Sequence, residues 1–254
     1  MSDNNNQNTN SKTENNASAE NKSKPAFNRR KTTDVKRLVG MAMFASLAII
    51  LGFATSSVKV AHLTFDAKDA VITLSAFVYG PVSAVAISFI VAFIESVFIT
   101  FTHTFWHGLL MDFVSSAVFS LTATLIYKKK RSFNGAIIGF AFSTVITTAA
   151  MLGLNILITP LYMKQLGVPM SAGDVIAMIP KLLLPFNFAK ALMNSAIAMV
   201  LYKPVSQAMR KAGFAKGDVV GLKFNKKSLI LVIICLVAMI AAVTIFIVTS
   251  ALNS

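Results

Sequence analysis

Lys190 stands near the middle of an otherwise uncharged apolar run, Leu184-Pro185-Phe186-Asn187-Phe188-Ala189-Lys190. An ammonium at bilayer depth costs about 3 kcal/mol even on lenient insertion scales, so it is kept only where a partner residue, trapped water or a polar ligand compensates it. Asn187 lies one helical turn earlier and shares its face. Pro185 weakens the helix just ahead of both and frees backbone groups. The run reads as a polar notch cut into a membrane helix, a place suited to holding a solute.

Three acidic sites accompany it. Asp66 and Asp69 open an apolar run three residues apart. They can cap a helix and load its first turn with acid, and one of them can turn into a pocket to receive a ligand donor or a lysine. Glu95 lies late in another apolar run; it pairs with Lys190 as a clamp between helices, or meets a polar ligand group alone or with Lys190. Asp112 is either a further pocket acid or a residue at the water interface. Phe65, Phe186, Trp106 and Tyr162 sit beside polar positions and could form aromatic walls for a flat heterocycle. His103 and His107 have the spacing of two ligands on one helical face, with His62 as a third candidate. The Phe105-Trp106 between them and the lack of a nearby Cys or carboxylate favour an interfacial belt, so no metal is expected.

The elements that must position these groups are membrane helices. The chain has 254 residues, 55% hydrophobic and only 13% charged, which is a polytopic membrane composition. The net charge of +14 does not point to nucleic acid, because 19 of the 24 Lys and Arg fall in three blocks, 1–37, 128–131 and 203–227, that flank apolar runs. That is the positive-inside pattern, with contact to anionic lipid. It places the N-terminus, the Lys128-Lys129-Lys130-Arg131 block and the basic linker in the cytoplasm. Cys235 is the single cysteine and excludes an internal disulfide. No cleavable signal peptide is apparent, and the first apolar run is expected to act as an uncleaved signal anchor.

Residues 1–36, rich in Asn, Ser and Lys, are expected to be a disordered cytoplasmic tail. A first span runs from Leu38 to about Val58, with small residues at four-residue spacing, Ala42/Ser46 and Ala48/Gly52. The segment Lys59 to Asp69 is too polar to cross. The next helix, Ala70 to Tyr79, is stopped by Gly80-Pro81 and covers about half of a 30 Å hydrocarbon core. The preceding loop must fold inward to fill that depth, and irregular backbone is tolerated there only where it lines a cavity. Further spans are expected over Val82–Thr102, Gly108–Tyr127, Ala136–Ile158 (closed by Thr159-Pro160) and Ala177–Tyr202. A basic linker, 206–227, leads to an additional transmembrane helix over 228–254. The fold class is all-α integral membrane: a six-helix domain over 37–205 plus one extra C-terminal helix. No phosphate-binding loop or catalytic signature is present. The chain is therefore not expected to be an enzyme, and active transport would need a partner ATPase or a coupled ion.

Several strings together resemble a known family. Phe65-Asp66-Ala67-Lys68-Asp69, Ala76-Phe77-Val78-Tyr79-Gly80-Pro81, Ala92-Phe93-Ile94-Glu95 and Met111-Asp112-Phe113-Val114-Ser115-Ser116 are similar to the substrate-binding (S) components of energy-coupling-factor (ECF) vitamin transporters. Leu157-Ile158-Thr159-Pro160-Leu161-Tyr162-Met163, the Lys190 run and Leu201-Tyr202-Lys203-Pro204 resemble the riboflavin-specific branch. The resemblance implies a subunit that captures riboflavin from outside and hands it to a transmembrane coupling protein driven by two ATPases. It places ligand contacts at Asn187, Lys190, the loop around Asp66 and polar positions on spans three to five, Asn155 among them. It places Ala42 and Ser46 against the coupling protein. Riboflavin would be cargo, and no cofactor is implied. Asp112 occupies a position where the family pattern carries Asn. An S component for another vitamin, such as thiamine or pantothenate, and an ion-coupled carrier acting alone are the alternative readings.

Overall fold

The computed structural model describes residues 26–56, 59–60, 63–99, 105–129 and 132–213. The expected seventh crossing, Cys235, His62 and His103 lie outside them. Contacts divide the chain into Met1–Val39 and Gly40–Ser254. Within the first unit the described residues are helical: helix α1 is Ala26–Thr55.

The second unit is a helical bundle. A ribbon of β1 (Lys59–Val60) and β2 (Leu63–Thr64), paired antiparallel with Val60 opposite Leu63, leads into an irregular segment, 65–67. Then follow α2 (Lys68–Tyr79), α3 (Pro81–Ile99), α4 (Phe105–Lys129), α5 (Phe133–Gln165), α6 (Ala172–Met178), a π-helical turn (Ile179–Leu183) and α7 (Leu184–Lys211). Five segments are long and apolar enough to cross a membrane, in α1, α3, α4, α5 and the α6–α7 run. With α2 they make the six-helix core that the sequence leads one to expect.

α2 has 12 residues, about 18 Å of helix, and cannot cross alone. It lies inside the bundle instead, with every residue from Lys68 to Ala76 buried, packed on α3, α4 and α7. Gly80 ends it at φ 99°, a left-handed conformation that costs glycine nothing. Pro81 then starts α3 at the one helical position where a missing N–H does no harm.

The apolar core joins Phe44 and Ala48 of α1, Val71 and Ile72 of α2, Val91 of α3, Phe119 of α4, Phe140 of α5 and Ala198 of α7. Hydroxyls clip the helices to one another where side chains are small. Thr73 donates to Ser120 at 3.1 Å, Ser143 donates to the Phe119 carbonyl at 2.6 Å, and Thr144 and Ser195 share a bond of 3.0 Å. Near the basic ends of α4 and α7, Phe77 stacks on Tyr127 at 4.1 Å, and the Tyr127 and Tyr202 hydroxyls meet at 2.5 Å.

Two boundaries differ from expectation, both at prolines. α5 does not stop at Thr159-Pro160 but runs 33 residues to Gln165. One missing N–H is a small loss inside a packed membrane helix, where neighbouring side chains re-satisfy the backbone. Just before the proline, the Thr159 hydroxyl donates to Asn155 Oδ1 one turn back, at 3.0 Å. The last crossing is interrupted: Leu184 N–H donates to the Ile179 carbonyl, a five-residue step. In an uninterrupted α-helix the Pro185 ring would clash with the carbonyl four residues earlier. Widening the turn by one residue removes that clash.

α4 and α5 make the most extensive helix contact, and Gly139 sits at its closest point. A Cβ there would stand 2.8 Å from the Ala123 carbonyl oxygen. Gly139→Val is expected to force α4 and α5 apart and destabilise the bundle by about 1–3 kcal/mol, seen as a lower thermal midpoint of the purified protein in detergent. An unchanged midpoint would contradict this packing.

Candidate functional site

Segment 65–67 and the first turn of α2 enter the bundle between α1, α3, α4 and α7, and their backbone is held from both sides. Thr55 Oγ1 accepts from Ala67 N–H at 3.0 Å, and Asn194 Oδ1 accepts from Ala70 N–H at 2.9 Å. The Asn194 amide donates to the carbonyls of Asp66 and Lys190 at 2.9 and 3.1 Å. The N-cap of α2 is thus Ala67, with no side-chain cap bond of its own, and Asp66 is not the cap that its position suggests. Side chains of α1 and α7 meet the helix donors, which leaves the Asp66 carboxylate free for other work.

That work is ionic. Asp66 Oδ2 binds Lys190 Nζ at 2.6 Å and lies 3.7 Å from Lys68 Nζ. Lys68 Nζ also binds Asp112 Oδ1 at 2.6 Å and donates to Glu95 Oε2. Asp69 lies alongside and accepts from the Ser116 hydroxyl at 2.5 Å. Four carboxyls thus surround two ammoniums, drawn from the connecting segment and four helices. Among the described residues, Asp66 Oδ1 and Glu95 Oε1 are buried with no hydrogen-bond partner. Glu95 Oε1 occupies the space of an absent side chain: a Cβ on Gly52 of α1 would lie 2.1 Å from it.

Of the two readings of Glu95, the clamp to Lys190 does not form. Glu95 pairs with Lys68, and Lys190 pairs with Asp66. Asp112 is not an interfacial residue standing apart but the second acid on Lys68, which gives a carboxylate at that position a function that Asn could not serve.

An aromatic pair adjoins the charges. Phe65 and Phe186, both buried, meet with ring centroids 4.5 Å apart. Asn187 is buried, and its amide donates to the Leu183 carbonyl at 2.7 Å, one of the groups at the π-helical turn. Asn155, fully buried on α5, donates to the Met151 carbonyl at 2.7 Å and accepts from Thr159; Tyr162 is half-buried two turns further on. These bonds of Asn155 stay within α5, so the structure does not join it directly to the ionic network. Trp106 is 73% exposed. On α1 the two small-residue pairs part company: Ala48 and Gly52 are buried, while Ala42 and Ser46 are exposed.

Lys68 and Asn194 are the residues that sequence reasoning passed over. Asn194 follows Asn187 and Lys190 at helical spacing on one face, a signal that was present. Lys68, set between Asp66 and Asp69, carries the sequence signal of a buried ion pair.

The comparisons agree with this architecture. A family model described as ECF transporter, substrate-specific component, matches residues 36–202. The chain is similar to the riboflavin transporter RibU of Staphylococcus aureus, 27% identical over 69% of this chain and 93% of the relative. It is also similar to the riboflavin transporter FmnP of Bacillus subtilis, 25% identical over 70% of this chain and 97% of that one. A solved structure of the S component of a bacterial ECF transporter superposes with a TM-score of 0.57, 25% identity, and coverage of 70% of this chain and 99% of that chain. With six buried or membrane-capable helices around an ionic site and a family match across them, the chain belongs to the substrate-specific components of ECF transporters: a multi-pass membrane protein that serves transport and is not an enzyme.

Proposed function

We propose that this chain captures riboflavin from outside the cell and delivers it through an ATP-driven ECF complex of a transmembrane coupling protein and two ATPases. The observation that carries the reading is the adjacency of two unlike surfaces: the Phe65–Phe186 pair and, beside it, the Asp66–Lys190 pair with Asn187 one turn away. Riboflavin is amphipathic in the same way. Its flat ring system suits aromatic and apolar walls, and its ribityl hydroxyls and ring carbonyls suit Lys190, Asn187, Asn155, Asp66 and Asp69, with Glu95, Asp112 and Tyr162 completing the polar surround. A ligand that left these buried groups unpaired would forfeit about 1–3 kcal/mol for each, which is a route to selectivity. The names of the two riboflavin-transporting relatives support the same ligand.

The orientation follows from charge. Lys128 and Lys129 end α4 and Lys203 lies late in α7, whereas Asp112 and Lys190 lie toward the opposite ends of those helices. With the basic ends in the cytoplasm, the N-terminus is cytoplasmic and the ionic site opens outward. The exposed Ala42 and Ser46 on α1 offer a shallow, close-packing stripe for the coupling protein.

Protein purified from growing cells is expected to carry a flavin absorption band, and added riboflavin to lose its fluorescence on binding. A colourless protein that quenches nothing would reject this ligand. Lys190→Ala and Asn187→Ala are each expected to weaken binding at least tenfold, about 1.4 kcal/mol, with helical circular dichroism retained. Unchanged affinity in both variants would refute the pocket assignment. Uptake into vesicles is expected to require the ATPases and ATP; accumulation without them would favour an ion-coupled carrier.

A further inference from the structure

We propose that Lys68 is a positioning residue of the ligand site: a tethered cation that gathers Asp66, Glu95 and Asp112 and thereby keeps Lys190 available to the ligand. The proposal rests on the ligand-capture reading above and adds a residue that the reading does not need for contact.

The two lysines of the network differ in what they have left to offer. Lys68 is 2% exposed, and its ammonium faces three carboxylates from three separate elements: the connecting segment, α3 and α4. An ammonium has three N–H donors; Glu95 and Asp112 lie at hydrogen-bond distance from that of Lys68, and Asp66 at 3.7 Å adds a third negative charge, so this cation is committed to carboxylates. Among the described residues Lys190 has an ion pair with Asp66 alone, and its side chain is 14% exposed. Its remaining donors are uncommitted to any carboxylate, and it is the cation suited to a ligand.

The carboxylates explain why Lys68 is needed. Without it, Lys190 would be the one cation left, among the described residues, to face Glu95, Asp112 and Asp66, in a medium where an unpaired buried carboxylate is far more costly than a paired one. Lys190 would be drawn toward them and away from the ligand. Gly52 leaves room for the Glu95 carboxylate against α1, so the acid is accommodated where Lys68 can reach it. Lys68 is the first residue of α2 and lies two residues from Asp66, so the same short stretch supplies both the acid that orients Lys190 and the cation that protects that pairing.

The test uses the full chain in detergent with Lys68→Ala, which removes three methylenes and the ammonium, and Lys68→Met, which keeps the length without the charge. Both are expected to bind riboflavin on the order of tenfold more weakly than the parent. Millimolar propylammonium, which replaces the atoms deleted from Lys68→Ala, is expected to recover most of that loss and to raise the variant's thermal midpoint without ligand. Propan-1-ol of the same size should do neither. Parental affinity in both variants, failure of propylammonium to rescue, or equal rescue by the alcohol would each overturn the proposal, the last because the side chain would then act by volume alone. If Lys68→Ala does not fold, Lys68→Met decides: parental affinity overturns the proposal and weakened affinity upholds it. The thermal-midpoint comparison needs no vitamin, so it separates failure of the tethered-cation proposal from failure of riboflavin as the ligand.

Discussion

Two ammoniums buried in a membrane bundle are the constraint around which the rest of this protein is arranged. Neither Lys68 nor Lys190 could be held at depth without counter-charges, and the counter-charges come from separate parts of the chain. Asp66 lies on an irregular segment, Glu95 on α3, Asp112 on α4. To satisfy both lysines, those elements must converge on one point, and that convergence draws the segment before α2 into the bundle. The Asp66 carboxylate, shared between the two cations, is the hinge of the network.

The shortness of α2 follows from the same requirement. A full-length helix in its place would carry the Asp66 segment out to the interface, whereas a 12-residue helix leaves the segment at depth. Irregular backbone at depth then needs partners for its polar groups. Asn194 of α7 and Thr55 of α1 supply them. The opposite end of α2 is closed by different means: Phe77 packs with Tyr127 and Tyr202 among the terminal turns of α4 and α7. One end of the bundle is thus built from charge and the other from stacked rings.

α1 has two faces with different tasks. Its inward face, with Ala48 and Gly52, lets the helix approach closely enough for Glu95 to lie against its backbone. Its outward face, with Ala42 and Ser46, remains exposed. The helix that borders the ionic site therefore also has an exposed face.

The sequence by itself determined the class and the family, and it marked the polar groups that had to be compensated. Apolar runs of spanning length, basic blocks between them and a short second helix ended by Gly80-Pro81 are consequences of local composition, and local composition is visible in one dimension. Lys190, Asn187 and Asp66 stood out because a polar group in an apolar run carries its cost wherever the chain folds. Tertiary structure alone decided who pairs with whom. Glu95 could have faced Lys190 or Lys68, residues 95 and 27 positions away, and nothing local distinguishes them; only the packing of α3 beside α2 does. Asp66 could have capped a helix, until Asn194, more than a hundred residues away, met those donors instead. Pro160 and Pro185 show the same limit, since the sequence marks where a backbone bond is lost, while the surrounding helices determine whether the chain stops, widens its turn or continues.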